Sequence, residues 1–224
     1  MSIAIAIDGP AGAGKSTIAR LAAKELGFIY VDTGALYRAI GLAAVRRGYS
    51  AEDKADVIAL LSAITVELAF NEKGEQIVLL DKEDVSGLIR TPEISMMASA
   101  VSAIPEVRAY LLDLQRNMAH KSNVIMDGRD IGTVVLPDAQ IKIFLTASPE
   151  CRARRRYDEL IEKGMDVQYE DILKDVIARD YADSHREIAP LKPADDAILV
   201  DTSGEDLDTS VKKLMNIMRN RYEA

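Results

Sequence analysis

Cysteine is nearly absent. Cys151 stands alone in 224 residues, which excludes an internal disulfide and a thiolate metal cage. Histidine stops at His120 and His185, too few for a histidine-built metal site. There is no tryptophan, and three phenylalanines with eight tyrosines leave little for a base-stacking platform. Basic residues are outnumbered 28 to 36, and the net charge of −8 argues against nucleic acid as a partner, because a phosphate backbone rewards a basic face. No uncharged apolar window approaches the length of a membrane span. The opening MSIAIAIDGP has neither the basic nor the long apolar region of a signal peptide. What remains is 48% hydrophobic, enough to bury a sizeable core in one domain with room for a small insert. The expectation is a soluble, cytoplasmic protein of enzyme size, with no membrane partner.

Along the chain, Ile3-Ala4-Ile5-Ala6-Ile7 is a β-rich run stopped by Asp8-Gly9-Pro10. Ile18, Leu21, Ala22 and Leu26 then recur at helical spacing until Gly27, and a second strand is expected at 28–31. Three further apolar runs, 123–126, 141–145 and 197–200, read as buried strands. They are separated by helical patterns such as Val107, Leu111, Leu114 and Met118, and Tyr169, Ile172, Leu173, Val176 and Ile177. Strands alternating with helices imply an α/β fold with a parallel sheet covered on both faces. One stretch departs from this rhythm. Val66, Leu68 and Phe70 alternate with polar or small neighbours, residues 71–75 read as a turn, and 76–81 can pair back. Residues 62–92 are therefore expected to form a small antiparallel insert.

The segment Gly9-Pro10-Ala11-Gly12-Ala13-Gly14-Lys15-Ser16, followed by Thr17, fits the phosphate-binding P-loop pattern. It lies between a strand and an amphipathic helix, where such a loop must lie. Glycines let successive N–H groups curl around phosphate oxygens, and the helix N-terminus adds positive potential. Lys15 is expected to reach the β- and γ-phosphates, and Ser16 to ligate Mg²⁺. A dinucleotide-binding reading fits worse, since Thr17 stands where the third glycine would be needed. The loop predicts a nucleoside triphosphate ligand.

Ligands of a parallel sheet gather at the carboxyl ends of its strands. Three such ends carry polar clusters: Asp32-Thr33-Gly34 with Arg38 beyond, Asp127-Gly128-Arg129-Asp130, and Asp201-Thr202. Asp127 is placed to hold Mg²⁺ directly or through water. Each cluster alone could be a loop salt bridge or a helix cap. Arginines form the next signal. Arg152, Arg155 and Arg156 share a helix face by spacing, and Arg179, Asp183 and Arg186 fall on another if that helix runs so far. Charge runs of this kind are often only solvated faces. Transfer of a phosphoryl group to an anionic acceptor, however, needs cations to offset the repulsion, and an arginine-bearing lid also excludes water.

Together these segments resemble bacterial cytidylate kinases, within the P-loop nucleoside monophosphate kinase family. The matching text is IDGPAGAGKST at 7–17, VDTGALYRA at 31–39, DVSGLIRTPEIS at 84–95, MDGRDIGTVVLPDA at 126–139, KIFLTAS at 142–148 and RDYADSHREIAPL at 179–191. The first motif is shared by many P-loop proteins; DGRDIGTVV and the insert ending in DVSGLIR are far more specific. The resemblance implies a five-stranded parallel P-loop core (1–61, 93–150 and 165–224), a monophosphate-binding insert (62–92) and a helical arginine-rich lid (151–164). It implies transfer from Mg²⁺-ATP to CMP and dCMP, in pyrimidine nucleotide metabolism. ATP would be held by residues 9–17. The acceptor residues it implies are Asp32, Thr33, Arg38, Ser99, Arg108, Arg129, Asp130, Arg179, Asp183 and Arg186. By that similarity Arg38, Arg129 and Arg186 hold the CMP phosphate, Arg179 and Asp183 the ribose, and Ser99, Arg108 and Asp130 the base. Lys15, Arg129, Arg152, Arg155 and Arg156 are the catalytic candidates, and Ser16 with Asp127 the metal ligands.

The base assignment also follows from hydrogen-bonding chemistry. Cytosine offers a donor at N4 and acceptors at N3 and O2, which a carboxylate, an arginine and a hydroxyl complement; uracil reverses positions 3 and 4. Rival readings are a kinase for UMP, AMP or another metabolite, a GTPase switch and a nucleotide sensor. The switch lacks an NKxD motif after a strand, and a sensor should have lost Lys15, Ser16 or the lid arginines. Cys151, His120 and His185 are expected to be bystanders, Met96 and Met97 core filler, and the working form a monomer.

Overall fold

The computed structural model describes residues 2–72 and 76–222. Residues 73–75 of the expected 71–75 turn lie outside them. The order of elements begins with β1 (Ala4–Asp8), α1 (Lys15–Leu26), β2 (Ile29–Asp32), α2 (Thr33–Arg46) and α3 (Lys54–Leu60). Then come β3 (Val66–Phe70), β4 (Gln76–Leu80), β5 (Glu83–Asp84), α4 (Pro92–Val101) and α5 (Pro105–Lys121). The chain continues with β6 (Val124–Gly128), β7 (Ile141–Thr146), α6 (Pro149–Glu162), α7 (Tyr169–His185), β8 (Ile198–Asp201) and α8 (Leu207–Tyr222). All five strands expected for the main sheet are present, each within a residue or two of its expected place. Two compact units result: residues 1–30 with 122–224, and residues 31–121.

The five-stranded parallel sheet has the order β2-β6-β1-β7-β8, with β6, β1, β7, β8 and the start of β2 in the first unit. β1 and β6 are buried at every position, which is why they read as unbroken apolar runs rather than alternating ones. Their register pairs Ile7 with Asp127 and Asp8 with Gly128, so the two carboxylates lie at the same end of neighbouring strands. Ile5, Ile7, Ile18, Ile125, Ile143, Leu145, Leu214 and Met218 belong to the core of the first unit. Each such side chain contributes roughly 1.5–3 kcal/mol on burial. α6 and α7 enclose a small apolar cluster of their own, Ala153, Leu160 and Ile172, edged by Tyr157 and Tyr169. Arg154 lies over both tyrosine rings, 5.4 and 4.6 Å from their centroids. Pro149 opens α6 and the Ser148 side chain caps it, accepting from Cys151 N at 3.2 Å.

The second unit packs α2 against α4 and a three-stranded antiparallel sheet, β3-β4-β5. The expected hairpin is there, with Val66 opposite Leu80 and Leu68 opposite Val78. Leu36, Ile40, Ile89 and Leu111 are among its fully buried side chains. Met97 joins this core, but Met96 is 70% exposed. Consecutive helical residues point about 100° apart, so only one of the pair can face inward.

Candidate functional site

β1 delivers the chain into the P-loop through Gly9, whose φ of +148° and position against β7 both demand glycine: a Cβ there would stand 1.9 Å from the Leu145 carbonyl oxygen. Gly12 and Gly14 also take positive φ, which turns successive amides toward one point, and Gly14 caps α1. Lys15, the first residue of α1, is buried, and its ammonium donates to Pro10 O at 2.8 Å across the loop. Burial pulls the Lys15 ammonium below its usual range and the Arg129 guanidinium adds to this, while Asp127, Asp8 and Asp183 pull the other way.

Ser16 Oγ donates to Asp127 Oδ2 at 2.9 Å, and Tyr30 Oη donates to Asp127 Oδ1 at the same distance. The hydroxyl and carboxylate expected to share a Mg²⁺ are thus adjacent. Hard oxygen donors, few in number, suit an ion that keeps its remaining positions for phosphate and water. Among the described residues no group of three or more His, Cys, Asp or Glu could hold a metal by itself. The donor set fits a metal that arrives with a phosphate ligand.

Asp8 was read in the sequence only as part of a turn. Its carboxylate accepts from Ile131 N and Gly132 N, both at 2.7 Å. Burial pushes this carboxyl up to about 6; the amide bonds of Gly132 and Ile131 oppose the rise, Asp130 adds to it, and Lys15 opposes it. A folded value above the ordinary 3.8 means the fold favours the neutral form. That contribution is fully present below the ordinary value and is lost as pH rises through the folded one. The unfolding free energy of the wild type, relative to Asp8→Asn, should therefore fall by up to about 3 kcal/mol from pH ~4 to pH ~7 in urea titrations. Parallel profiles for the two proteins would show that Asp8 ionises as an ordinary carboxylate.

After β6, Arg129 Nε donates to Asp183 Oδ2 at 2.9 Å, and Arg186 Nη2 lies 3.5 Å from Asp130 Oδ1. Asp130 and Asp183 are both buried. α7 ends at His185, so Arg179 and Asp183 share the helix but Arg186 does not continue it. Arg186 takes an extended backbone and turns its Nε onto Ala189 O at 2.6 Å. The expected helical register of all three residues therefore holds only for the first two.

The lid arginines diverge. Arg152 is 2% exposed, and its donors are taken by Ala147 O, Ala11 O and both carboxylate oxygens of Asp180. Arg155 Nη2 donates to Thr202 O and Glu205 O, at 2.9 and 3.3 Å. Arg156 makes an exposed pair with Glu159. Helical spacing puts them on one face, yet their long side chains reach three separate sets of partners. Asp180 gave no sequence signal, because its role depends on a residue 28 positions away.

In residues 31–121, Asp32 caps α2 by accepting from Ala35 N at 3.0 Å and pairs with Arg38 Nη2 at 2.7 Å. Gly34 makes room for that pair, since a Cβ would lie 3.0 Å from Arg38 Nη1. Thr33 is buried at the start of α2. Arg38 Nε is buried with no protein partner among the described residues, a donor left for an acceptor of another kind. Arg108 is 9% exposed rather than solvent-facing; its Nη1 donates to Ser102 O at 3.3 Å and its guanidinium lies over the Tyr37 ring. Ser99 is half-buried on α4.

Comparison with known proteins adds a full-length relationship. The cytidylate kinase family model matches residues 5–220. A cytidylate kinase of Carboxydothermus hydrogenoformans is 52% identical over 219 residues, covering 98% of each chain. One of Streptococcus gordonii is 49% identical over 209 residues, covering 93% of each. Among solved structures, an uncharacterized protein from Eubacterium ventriosum superposes with a TM-score of 0.55 at 14% identity, over 98% of this chain and 99% of that one. That likeness concerns the fold alone.

Proposed function

The chain belongs to the cytidylate kinase family, and from that premise we propose how its residues carry out the reaction. It is an enzyme that phosphorylates CMP, using ATP. The reading extends the acceptor to dCMP, places the enzyme in the cytoplasm among its nucleotide substrates, and takes the monomer as the working form. Residues 62–92 serve as the monophosphate-binding insert and 151–164 as the lid of a single kinase domain. The observation that carries the mechanism is the contact of Ser16 with Asp127 beside the buried Lys15.

The loop amides of residues 9–17 take the triphosphate, and Lys15 reaches its β- and γ-phosphates. Ser16 and Asp127 hold Mg²⁺, which when bound neutralises charge on the transferring group. An oxygen of the CMP phosphate forms the new bond to the γ-phosphorus while the bond to the β-γ bridging oxygen breaks, its electrons leaving with ADP. Both partners are anionic, so positioning and charge neutralisation replace a dedicated base. Arg38, Arg129 and Arg186 take the acceptor phosphate, with Asp32 orienting Arg38 and Thr33 at the head of the same helix. Arg179 and Asp183 take the ribose hydroxyls. Asp130 accepts from cytosine N4, while Arg108 and Ser99 donate to N3 and O2. Arg152, Arg155 and Arg156 supply cations from the lid. Arg152 is held through Nε, Nη1 and Nη2, whereas the bonds of Arg155 to Thr202 O and Glu205 O involve Nη2 alone and Arg156 makes one exposed ion pair, which favours the latter two as those that turn toward phosphate.

A coupled ADP-release assay with Mg²⁺-ATP tests the reading against CMP, dCMP, UMP, AMP and GMP. Turnover of CMP and dCMP is expected, with UMP lower in kcat/KM by about 10²-fold or more. Equal activity with UMP would leave the kinase but overturn the cytosine assignment. Activity without dCMP would confine the acceptor to the ribonucleotide.

A further inference from the structure

Gly128 ends β6, and the chain then passes Arg129 and Asp130 into a single wide helical turn at residues 131–135. Asp130 O accepts from both Val134 N and Val135 N, and Ile131 O accepts from Leu136 N. The first amides of any such turn have no partner within it. Here those amides, Ile131 N and Gly132 N, are both met by Asp8, a residue more than 120 positions earlier. The capping carboxylate comes from the last residue of β1, beside the P-loop glycine Gly9.

We propose that Asp8 is a positioning residue: by capping Ile131 N and Gly132 N from the strand that carries the P-loop, its carboxylate fixes the backbone that presents Arg129 and Asp130 to the acceptor nucleotide. The inference rests on the reading of Arg129 and Asp130 as acceptor-binding residues. Three features of the geometry support it. Both carboxylate oxygens are used, at equal 2.7 Å distances, so the turn is held against rotation as well as translation. Gly132 permits the approach, since a Cβ would lie 3.3 Å from Asp8 Oδ2 and 3.2 Å from Lys142 Cδ. Finally, Asp130 is held on both sides, by the two amides on its own carbonyl and by the Asp8 bond to the amide that follows it. The register of β1 against β6 brings the ends of the two strands, and so the P-loop and the acceptor-reading segment, to one edge of the sheet.

Asparagine at position 8 would keep one acceptor but aim an N–H at the second amide, so Asp8→Asn tests the clamp with little change of volume. Its KM for CMP is expected to rise about 10-fold or more, the loss of one charge-assisted bond, while KM for ATP stays within about 3-fold. Destabilisation alone would lower the amount of active enzyme without separating the two KM values. A CMP KM within about 2-fold of wild type, or an equal rise in both values, would overturn the proposal. Arg129→Ala is run beside it: an unchanged CMP KM there would overturn the acceptor-site reading itself, and the inference with it. Amide exchange in the ligand-free wild type needs no variant to fold. Ile131 and Gly132 should be protected by about 10²-fold or more, and rapid exchange at both would show that the clamp does not hold in solution.

Discussion

Lys15→Ala is expected to lower kcat by about 10³-fold, read as CMP-dependent ADP release at saturating ATP. The ammonium is buried at the mouth of the loop and held by Pro10 O, so it is positioned before substrate arrives. Its depressed ammonium pKa expresses the cost of keeping that charge out of water, a cost met in the fold rather than during the reaction. A charge prepared in this way is worth most when the phosphoryl group carries developing charge on its equatorial oxygens. Binding of CMP, measured by calorimetry without ATP, should change little, since Lys15 is assigned to the donor. Lys15→Met keeps most of the stem and should lose nearly as much activity, separating the charge from the packing. A loss of less than about 10-fold in both variants would mean that other groups carry the phosphate charge.

How much of this was open to reading depends on how far apart the interacting residues lie in the chain. The P-loop was legible because its strand, glycines, lysine and helix occupy one continuous stretch, and each has a local physical reason to be there. The cap of α2 by Asp32 and its pair with Arg38 likewise sit within one turn and a half of helix. The hairpin of β3 and β4 was legible from its two-residue alternation. Asp8 was opaque, although it stands next to Gly9, because its partners lie at 131 and 132 and only the strand order brings them together. The partners of Arg152 were opaque for a related reason. Spacing assigns a residue to a helix face but says nothing about which acceptors a long side chain will find, and Ala11, Ala147 and Asp180 come from three other segments. Arg186 shows the limit of periodicity at a helix end, where one residue in extended backbone removes it from the register of Arg179 and Asp183.

Substrate choice should turn on Asp130. In Asp130→Asn the preference for CMP over UMP, as a ratio of kcat/KM values, is expected to narrow by about 10²-fold. A carboxylate can only accept, so it meets the N4 amine of cytosine but opposes O4 of uracil; an asparagine amide can meet either. Burial enlarges the difference. At 4% exposure Asp130 has little recourse to water, and Arg186 Nη2 stands 3.5 Å from its Oδ1. A carboxylate lone pair set against uracil O4 would be repelled in a site where water can do little to relieve it, which is the kind of mismatch that discriminates strongly. The change should appear mainly as lost CMP activity with modest gain for UMP, because Asn removes a repulsion from one base and a charge from the interaction with the other. Arg186 complicates only the absolute rates, since its partner is altered equally for both substrates. A ratio unchanged in Asp130→Asn, with kcat/KM lowered equally for CMP and UMP, would move Asp130 from reading the base to holding Arg186.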